Sequence, residues 1–342
     1  MKHLLKILFL VPLCVACSSD MDEEDVRLGQ SKFSIGFNAE VGKMGQEPRP
    51  VKARQTRALA SMSSLEADGF SVWGGYKGAS TSKKVFDGRK VTYQSPYWRY
   101  SDLEYWTYNT YHFHGIYPTP PAGTGAYAVE WDNDNLQLDI TDFDTSTGTD
   151  LLHGAATGID GRLAPEVSLQ FTHTLTNVNV QLKKHQENTN DVVTVTGVYL
   201  LGMCTKGDYT WKRDESTTPA TITASWMVDD QSASYTGLEM EKSLTVNYED
   251  VLTNLLFIPQ HIDPETHPVA LLVIYDFKLT GDGNNLIEDN QLVVSLPTAP
   301  VWGINKKITY QAIIHANTDI TFATPIVEDW GEEQAGGTII IK

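Results

Sequence analysis

An all-β chain folded as two β-sandwiches in tandem is the architecture this sequence predicts, and three observations carry it. Apolar and polar residues alternate in short runs along much of the chain, the period of strands with one buried face. Eight Trp, fifteen Tyr and 26 Gly accompany those runs, and no long amphipathic helical pattern interrupts them. A length of 342 residues is more than one core of ordinary size takes up, so two domains are expected.

The first sixteen residues stand apart. Lys2 and Lys6 lie with the apolar run LLKILFLVPLCVA. A permanent membrane helix needs about 20 apolar residues, so residues 1–16 read as an export signal. Ala16 directly before Cys17 looks like a bacterial lipobox, with Cys14 departing from the usual Leu. Cys17 is then the lipidation site, its thiol taking a diacylglycerol and its new amine a further acyl chain. Each buried CH₂ contributes about 0.8 kcal/mol, so several chains hold the protein on a membrane. The alternative is an ordinary secretory signal cut nearby, with Cys17 incidental. Residues 17–30 hold five acids within SSDMDEED and form a tether too polar to build a core. Only Cys204 remains in the folded part, which rules out an intrachain disulfide there and points to a small buried side chain.

Residues 31–57 begin with SKFSIGFNAEV, which places Phe33, Ile35, Phe37, Ala39 and Val41 on one strand face, and continue as a loop rich in Gly, Pro and Arg. The first sandwich, residues 58–163, opens with GFSVWGGY (69–76). KVFDGRKVTYQ (84–94) reads as a hairpin turning at Asp87-Gly88, and YWRY (97–100), EYWTYNTYHFHGIYP (104–118) and AVEWDND (128–134) follow. Its aromatics can fill a small core at about 150–250 Å² of buried surface each. VSLQFTHTLTNVNVQLKK (167–184) is the longest alternation, slips phase near Thr176-Asn177, and is taken to open the second sandwich, residues 164–331. VVTVTGVYLLGM, ATITASWMV, KSLTVNY, LTNLLFIPQ, VALLVIYDFKL, NQLVVSLP, KKITYQAIIHAN and ITFATPIVEDW continue it at sandwich spacing. Residues 332–342 form a tail in which Ile339, Ile340 and Ile341 follow a Gly336-Gly337 hinge.

Taken together and in order, the lipobox, the first strand, QTRALA (55–60), QFTHTLTNVNVQL (170–182), FIPQ (257–260) and VWGINKKITYQAIIHANTDITFATPIVEDWG (301–331) resemble the Bacteroidota fimbrillin, or Mfa-like, pilins. The resemblance covers nearly the whole mature chain. It implies sandwiches of transthyretin-like topology, lipoprotein export to the outer-membrane surface, and polymerisation into a type V pilus with other pilin subunits. It also implies that a trypsin-like protease cuts after an arginine, that the amino-terminal strand leaves, and that another subunit's strand takes its place. Arg57-Ala58 is the expected cut, with Arg54 second. Phe33, Ile35 and Phe37 would then belong to the displaced strand, and Ile339, Ile340 and Ile341 to the donor. The alternative for the tail is a last edge strand of its own second domain. The acids behind Cys17 resemble the signal that sends lipoproteins of this phylum to the outer face.

Other chemistry finds little support. A net charge of −17 leaves no basic stripe for a phosphate backbone, so nucleic acid is not a partner. His112 and His114 share a strand face at a spacing that can serve a metal, but no third ligand is visible, and sheet decoration is the commoner role. WDNDN (131–135) and DFDTSTGTD (142–150) cluster oxygen ligands without an EF-hand pattern, so acidic turns explain them. No GxSxG, HExxH, P-loop or GxGxxG motif occurs, and neither an enzyme nor a cofactor is implied. The rival reading is a monomeric surface lipoprotein that binds glycans through Trp73, Tyr76, Trp98, Tyr100, Trp106 and Tyr108; against it, their spacing also suits a buried face.

Overall fold

A computed structural model of the chain describes residues 30–42, 59–78, 81–121, 127–186, 191–229, 232–235, 239–279, 286–315 and 319–330. Its first half carries β1 (Gln30–Ser34), β2 (Phe37–Val41), α1 (Met62–Asp68), β3 (Phe70–Lys77), β4 (Ser82–Gln94), β5 (Tyr97–Arg99), β6 (Tyr105–Thr107), β7 (Thr110–Tyr117), β8 (Ala128–Asp132), β9 (Gln137–Asp144), β10 (Leu152–Asp160) and β11 (Val167–His173). The second half carries β12 (Thr176–Lys184), β13 (Val192–Cys204), β14 (Lys206–Asp214), β15 (Thr221–Val228), β16 (Ser232–Tyr235), β17 (Glu239–Ser243), β18 (Glu249–Phe257), β19 (Ala270–Lys278), β20 (Leu286–Ser295), β21 (Lys306–His315), β22 (Asp319–Phe322) and β23 (Ile326–Asp329). The protein is all-β, as its alternation predicts.

Seven strands form the first sheet, in the order β2-β11-β10-β7-β3-β4-β5. Its two end strands, β2 and β5, come into contact, so the sheet rolls around its own core. Phe70, Phe86, Phe113 and Phe171 fill the inside of the roll, where Gly115 leaves room for the Phe171 ring. The outer face carries Trp73 and Ile116 and packs on a four-stranded sheet, β15-β14-β9-β8, through Trp131, Leu138, Tyr209 and Trp211. β3 and β7 are therefore covered on both sides, which explains why FSVWGG and YHFHGI are buried without interruption. The third core lies between β18-β12-β21-β22, with β23 also on β21, and β16-β13-β19-β20, with β17 on β13. Val178, Val180, Leu271, Val273, Ile308 and Tyr310 meet there.

Three expectations change. β11 pairs with β10 and β2 in the first sheet, so the chain crosses to the second sandwich at Thr174-Leu175 and not before Val167. The phase slip in the long alternation marks that crossing. β9 from the first half pairs with β14 from the second, so one sheet is built from both halves and no clean cut falls at 163/164. Asp87-Gly88 is no hairpin turn: β4 runs through it as one strand of 13 residues, and Gly88 takes φ +71 against the Trp73 ring. A positive-φ glycine inside a strand makes a bulge as readily as a turn.

Gly115 supplies a direct test of the roll. A Cβ there would meet Cζ of Phe171 at 2.5 Å, and such overpacking typically costs about 1–3 kcal/mol. Gly115→Ala should lower the urea midpoint accordingly without changing the unfolding slope.

Candidate functional site: an amino-terminal strand in a rolled sheet

β2 lies along β11 in parallel register, Phe37 opposite Val167, Ala39 opposite Leu169 and Val41 opposite Phe171. Ile35, Phe37 and Ala39 are buried, at 1%, 3% and 2% exposure. The Phe37 ring meets three others edge-on, Phe86 at 5.3 Å, Phe113 at 5.6 Å and Tyr100 at 5.8 Å between centroids. Polar bonds fix the approach: Ile35 N–H donates to the Glu104 carbonyl at 2.8 Å, the Tyr100 hydroxyl to the Ile35 carbonyl at 2.8 Å, and Val167 N–H to the Gly36 carbonyl at 2.8 Å. Burial raises the pKa of Tyr100, which keeps its hydroxyl a donor.

Phe33 departs from the expected pattern. The strand breaks at Ile35-Gly36, and β1 instead pairs with β6 as a separate two-stranded sheet, which leaves Phe33 58% exposed. The buried set of this segment is Ile35, Phe37 and Ala39. Burying Ile35 and Phe37 contributes about 1.5–3 kcal/mol each. Cys17, Arg57, Ala58, Ile339, Ile340 and Ile341 lie outside the described residues.

The connection from β2 leaves and rejoins the body at one place. Gly42 N–H donates to the Phe171 carbonyl at 3.2 Å. Beyond residues 43–58, Ala60 N–H donates to Asp150 at 2.8 Å, and Asp150 pairs with His173, two residues past Phe171, at 3.0 Å. Both side chains are 2% exposed. The His173 ring also stacks on Trp330 at 3.7 Å and 8°. Sequence reasoning missed this cluster and read Asp150 as part of an acidic turn. Its members are far apart in the chain, and no short pattern joins them.

The expected side sites take structural roles. Asp132 accepts from the backbone of Asp134 and Asn135 and from the Asn135 amide, so its oxygens hold their own turn. Asp144 caps a short 3₁₀ turn through Ser146. His114 lies between Trp131 and Trp211 and bonds to His153 at 3.0 Å, which bonds to the Tyr209 hydroxyl at 3.0 Å. Among the described residues no group of three or more His, Cys, Asp or Glu is placed to hold a metal. Of the rings offered for glycans, Trp73 and Trp106 are buried, Tyr76, Trp98 and Tyr100 are half-buried against the core, and Tyr108 is exposed.

Fold and site together define a class: an all-β structural protein whose first sheet is closed by its own amino-terminal strand. A family model described as fimbrillin-like matches residues 56–330, and the chain belongs to that family. No curated protein matches it. Among solved structures, a fimbrial protein from Bacteroides vulgatus is similar, with 19% identity, a TM-score of 0.58, and coverage of 87% of this chain and 99% of that one. A protein from Bacteroides ovatus described as a candidate cell adhesion protein shows 14% identity and a TM-score of 0.47 over 88% of this chain and 99% of its own. Family membership makes the chain a pilin-like subunit, a structural protein and not an enzyme, that assembles with other pilin subunits.

Two measurements follow from this geometry. Phe37→Ala should destabilise the uncut chain by about 3–5 kcal/mol, the usual cost of emptying an aromatic site, read as a shift in the urea midpoint. Burial lowers the pKa of His112 to about 4 and of His153 to about 3, so both are neutral in the fold and take up protons on unfolding. Each contributes stability that is complete above its unfolded pKa near 6.5 and falls by about 1.4 kcal/mol per pH unit below it. The melting temperature should therefore hold above pH 6.5 and fall steadily toward pH 4, with a shallower fall in His153→Gln.

Proposed function

We propose that this chain is the lipid-anchored precursor of a fimbrial subunit, matured by cleavage after Arg57 and polymerised by strand exchange. Export delivers it to the outer membrane through acyl chains on Cys17, with residues 17–30 as spacer. A trypsin-like protease opens the Arg57-Ala58 bond. Residues 31–41 then leave, and Ile339, Ile340 and Ile341 of another subunit enter along β11, in a homopolymer or a mixed fimbria.

The observation that carries this reading is the seating of β2. It is an end strand of its sheet, so its loss breaks one ladder of that sheet, with the short β1-β6 pair beside it, yet Phe37 and Ala39 on it and Ile35 just before it are buried. Its removal would leave a row of unpaired backbone groups on β11 above an apolar trough, which is a template for a new strand. Residues 43–58 join two anchors near the carboxyl end of β11, Gly42 on Phe171 and Ala60 on Asp150, and a cut between them breaks neither bond directly.

Limited trypsin should nick the purified monomer and yield SDS-resistant or filamentous oligomers. Deleting residues 338–342 should abolish the oligomers and leave the nick, and replacing Lys43, Lys52, Arg54 and Arg57 together by Ala should block both. A nicked protein that sheds its peptide and stays monomeric with the tail intact overturns the reading.

A further inference from the structure

The sheet shared by the two halves ends in a strand that lacks the usual guards. Native sheets protect their edges with short strands, charged side chains or bulges. Among the described residues, β1, β2, β8, β17, β18 and β20 are paired on one side only, and each carries a charged residue. β5, β6, β16, β22 and β23 are likewise paired on one side, and they hold three or four residues each. β15 has neither protection. Its eight residues, TITASWMV, carry no charge, and all eight face β14 in one unbroken register. No other described strand pairs with it.

We propose that β15 is an association edge through which two copies of this chain pair, antiparallel, about a two-fold axis at Ala224. The strand is firmly placed for that role. Trp226 packs with Phe143 and Tyr209, and its indole N–H donates to the Thr174 carbonyl at 2.8 Å. Ile222 and Ala224 lie on the same face as Trp226, yet residues 221–225 are exposed, Ile222 at 51%. This half of the strand thus projects beyond the sheet that covers its other half. Pairing two such edges would join two four-stranded sheets into one of eight.

Side chains and charge select a second copy as the partner. A two-fold interface must be self-complementary. About Ala224, Ile222 of one copy stands opposite Trp226 of the other, and Thr223 stands opposite Ser225. Each pair occurs twice, and β-branched with aromatic and hydroxyl with hydroxyl are favourable cross-strand pairs. The chain's net charge of −17 opposes contact between copies. In the β14-β15 hairpin, however, Lys206, Lys212 and Arg213 balance Asp208, Asp214 and Glu215, so two hairpins meet without net repulsion. The overlap of residues 221–227 makes a ladder about 23 Å long, which belongs to the small, transient class of interface. Repeated along a polymer, such an edge adds up through multivalency and bundles fibres side by side. Only that consequence rests on the strand-exchange reading, because the pairing itself needs neither cleavage nor the tail.

Sedimentation velocity on the uncut full chain tests the pairing. Dimer should grow at the expense of monomer as concentration rises. Ile222→Lys should weaken it about tenfold, since two symmetric pairs are lost. The urea midpoint should stay in place, because Ile222 belongs to none of the three cores. Val293→Lys, at an exposed apolar site on β20, should leave dimerisation unchanged. With Cys14→Ser and Cys17→Ser, only the buried Cys204 remains. In that background Ala224→Cys should cross-link to itself on mild oxidation, and Thr221→Cys should not. Monomer at every concentration up to about a millimolar overturns the proposal. So does a dimer that Ile222→Lys leaves intact, one that Val293→Lys abolishes equally, or one that cross-links through Thr221→Cys instead of Ala224→Cys. A dimer lost on deleting residues 338–342 overturns it too, by placing the tail in the edge. Trypsin-dependent oligomers are scored separately, so either reading can fail while the other stands.

Discussion

Phe37 sets its ring against Phe86 of β4, Phe113 of β7 and Tyr100 just beyond β5, and that contact closes the rolled first sheet. A sheet that curls until its ends meet must fill its axis, or its inner faces stay wet. The ring that completes the axis comes from a strand joined to the rest of the body through a single connection, residues 43–58. The sheet is thus closed by the one element that can be removed without cutting through its core. Tyr100 ties the same strand by its hydroxyl, and Arg89 lies 5.5 Å from the Phe86 ring beside it. Removal of the strand would expose a shaped trough and leave the fold around it intact, because β3, β7, β10 and β11 remain paired with one another or with β4.

A second constraint holds the halves together. The hairpins β8-β9 and β14-β15 share one sheet, and its inner face meets the outer face of the first sheet across Trp131, Trp211 and Tyr209. His114 and His153 are buried in that layer with their bond to each other and to Tyr209. A buried polar chain of this kind penalises any slip of one layer over the other, since a shifted register would leave its atoms unpaired. The joint places β12 and β21 directly after the end of β11, and so fixes Trp330 beside His173. Where the tail starts is a property of the joint between the halves.

Much of this was legible in the residues, and what was not has physical causes. SKFSIGFNAEV showed its buried face at Ile35, Phe37 and Ala39, because burial along a strand follows a period of two. It misplaced Phe33, because β1 leaves the first sheet to pair with β6 and alternation cannot reveal a change of sheet. β9, β10 and β14 drew no attention: QLDITDFD is dense in acids, LHGAATGID has few large side chains, and KGDYTWKRD mixes charge with its two buried rings. Each is nonetheless central, since pairing on both sides satisfies a backbone whatever its side chains. Asp150, His173 and Trp330 left no trace in sequence, because their meeting is decided by topology.

The proposed route asks that the strand closing the sheet be held during export and then lost, and its covalent connection through residues 43–58 reconciles the two demands. While it is intact, β2 is covalently tied to the body whose edge it fills, and a tethered strand outcompetes a free one of equal fit. A tail from another molecule at micromolar concentration loses that contest even with an equal fit. Cutting the connection changes no contact in the trough and removes only the tether. Ile35 and Phe37 then hold a free peptide by their burial, about 3–6 kcal/mol at most together, which is weak for a complex in dilute solution. On the proposed route, proteolysis would convert an internal strand into a dissociable ligand. Assembly would then need no tighter donor than the strand it replaces, only one present when the tether is gone.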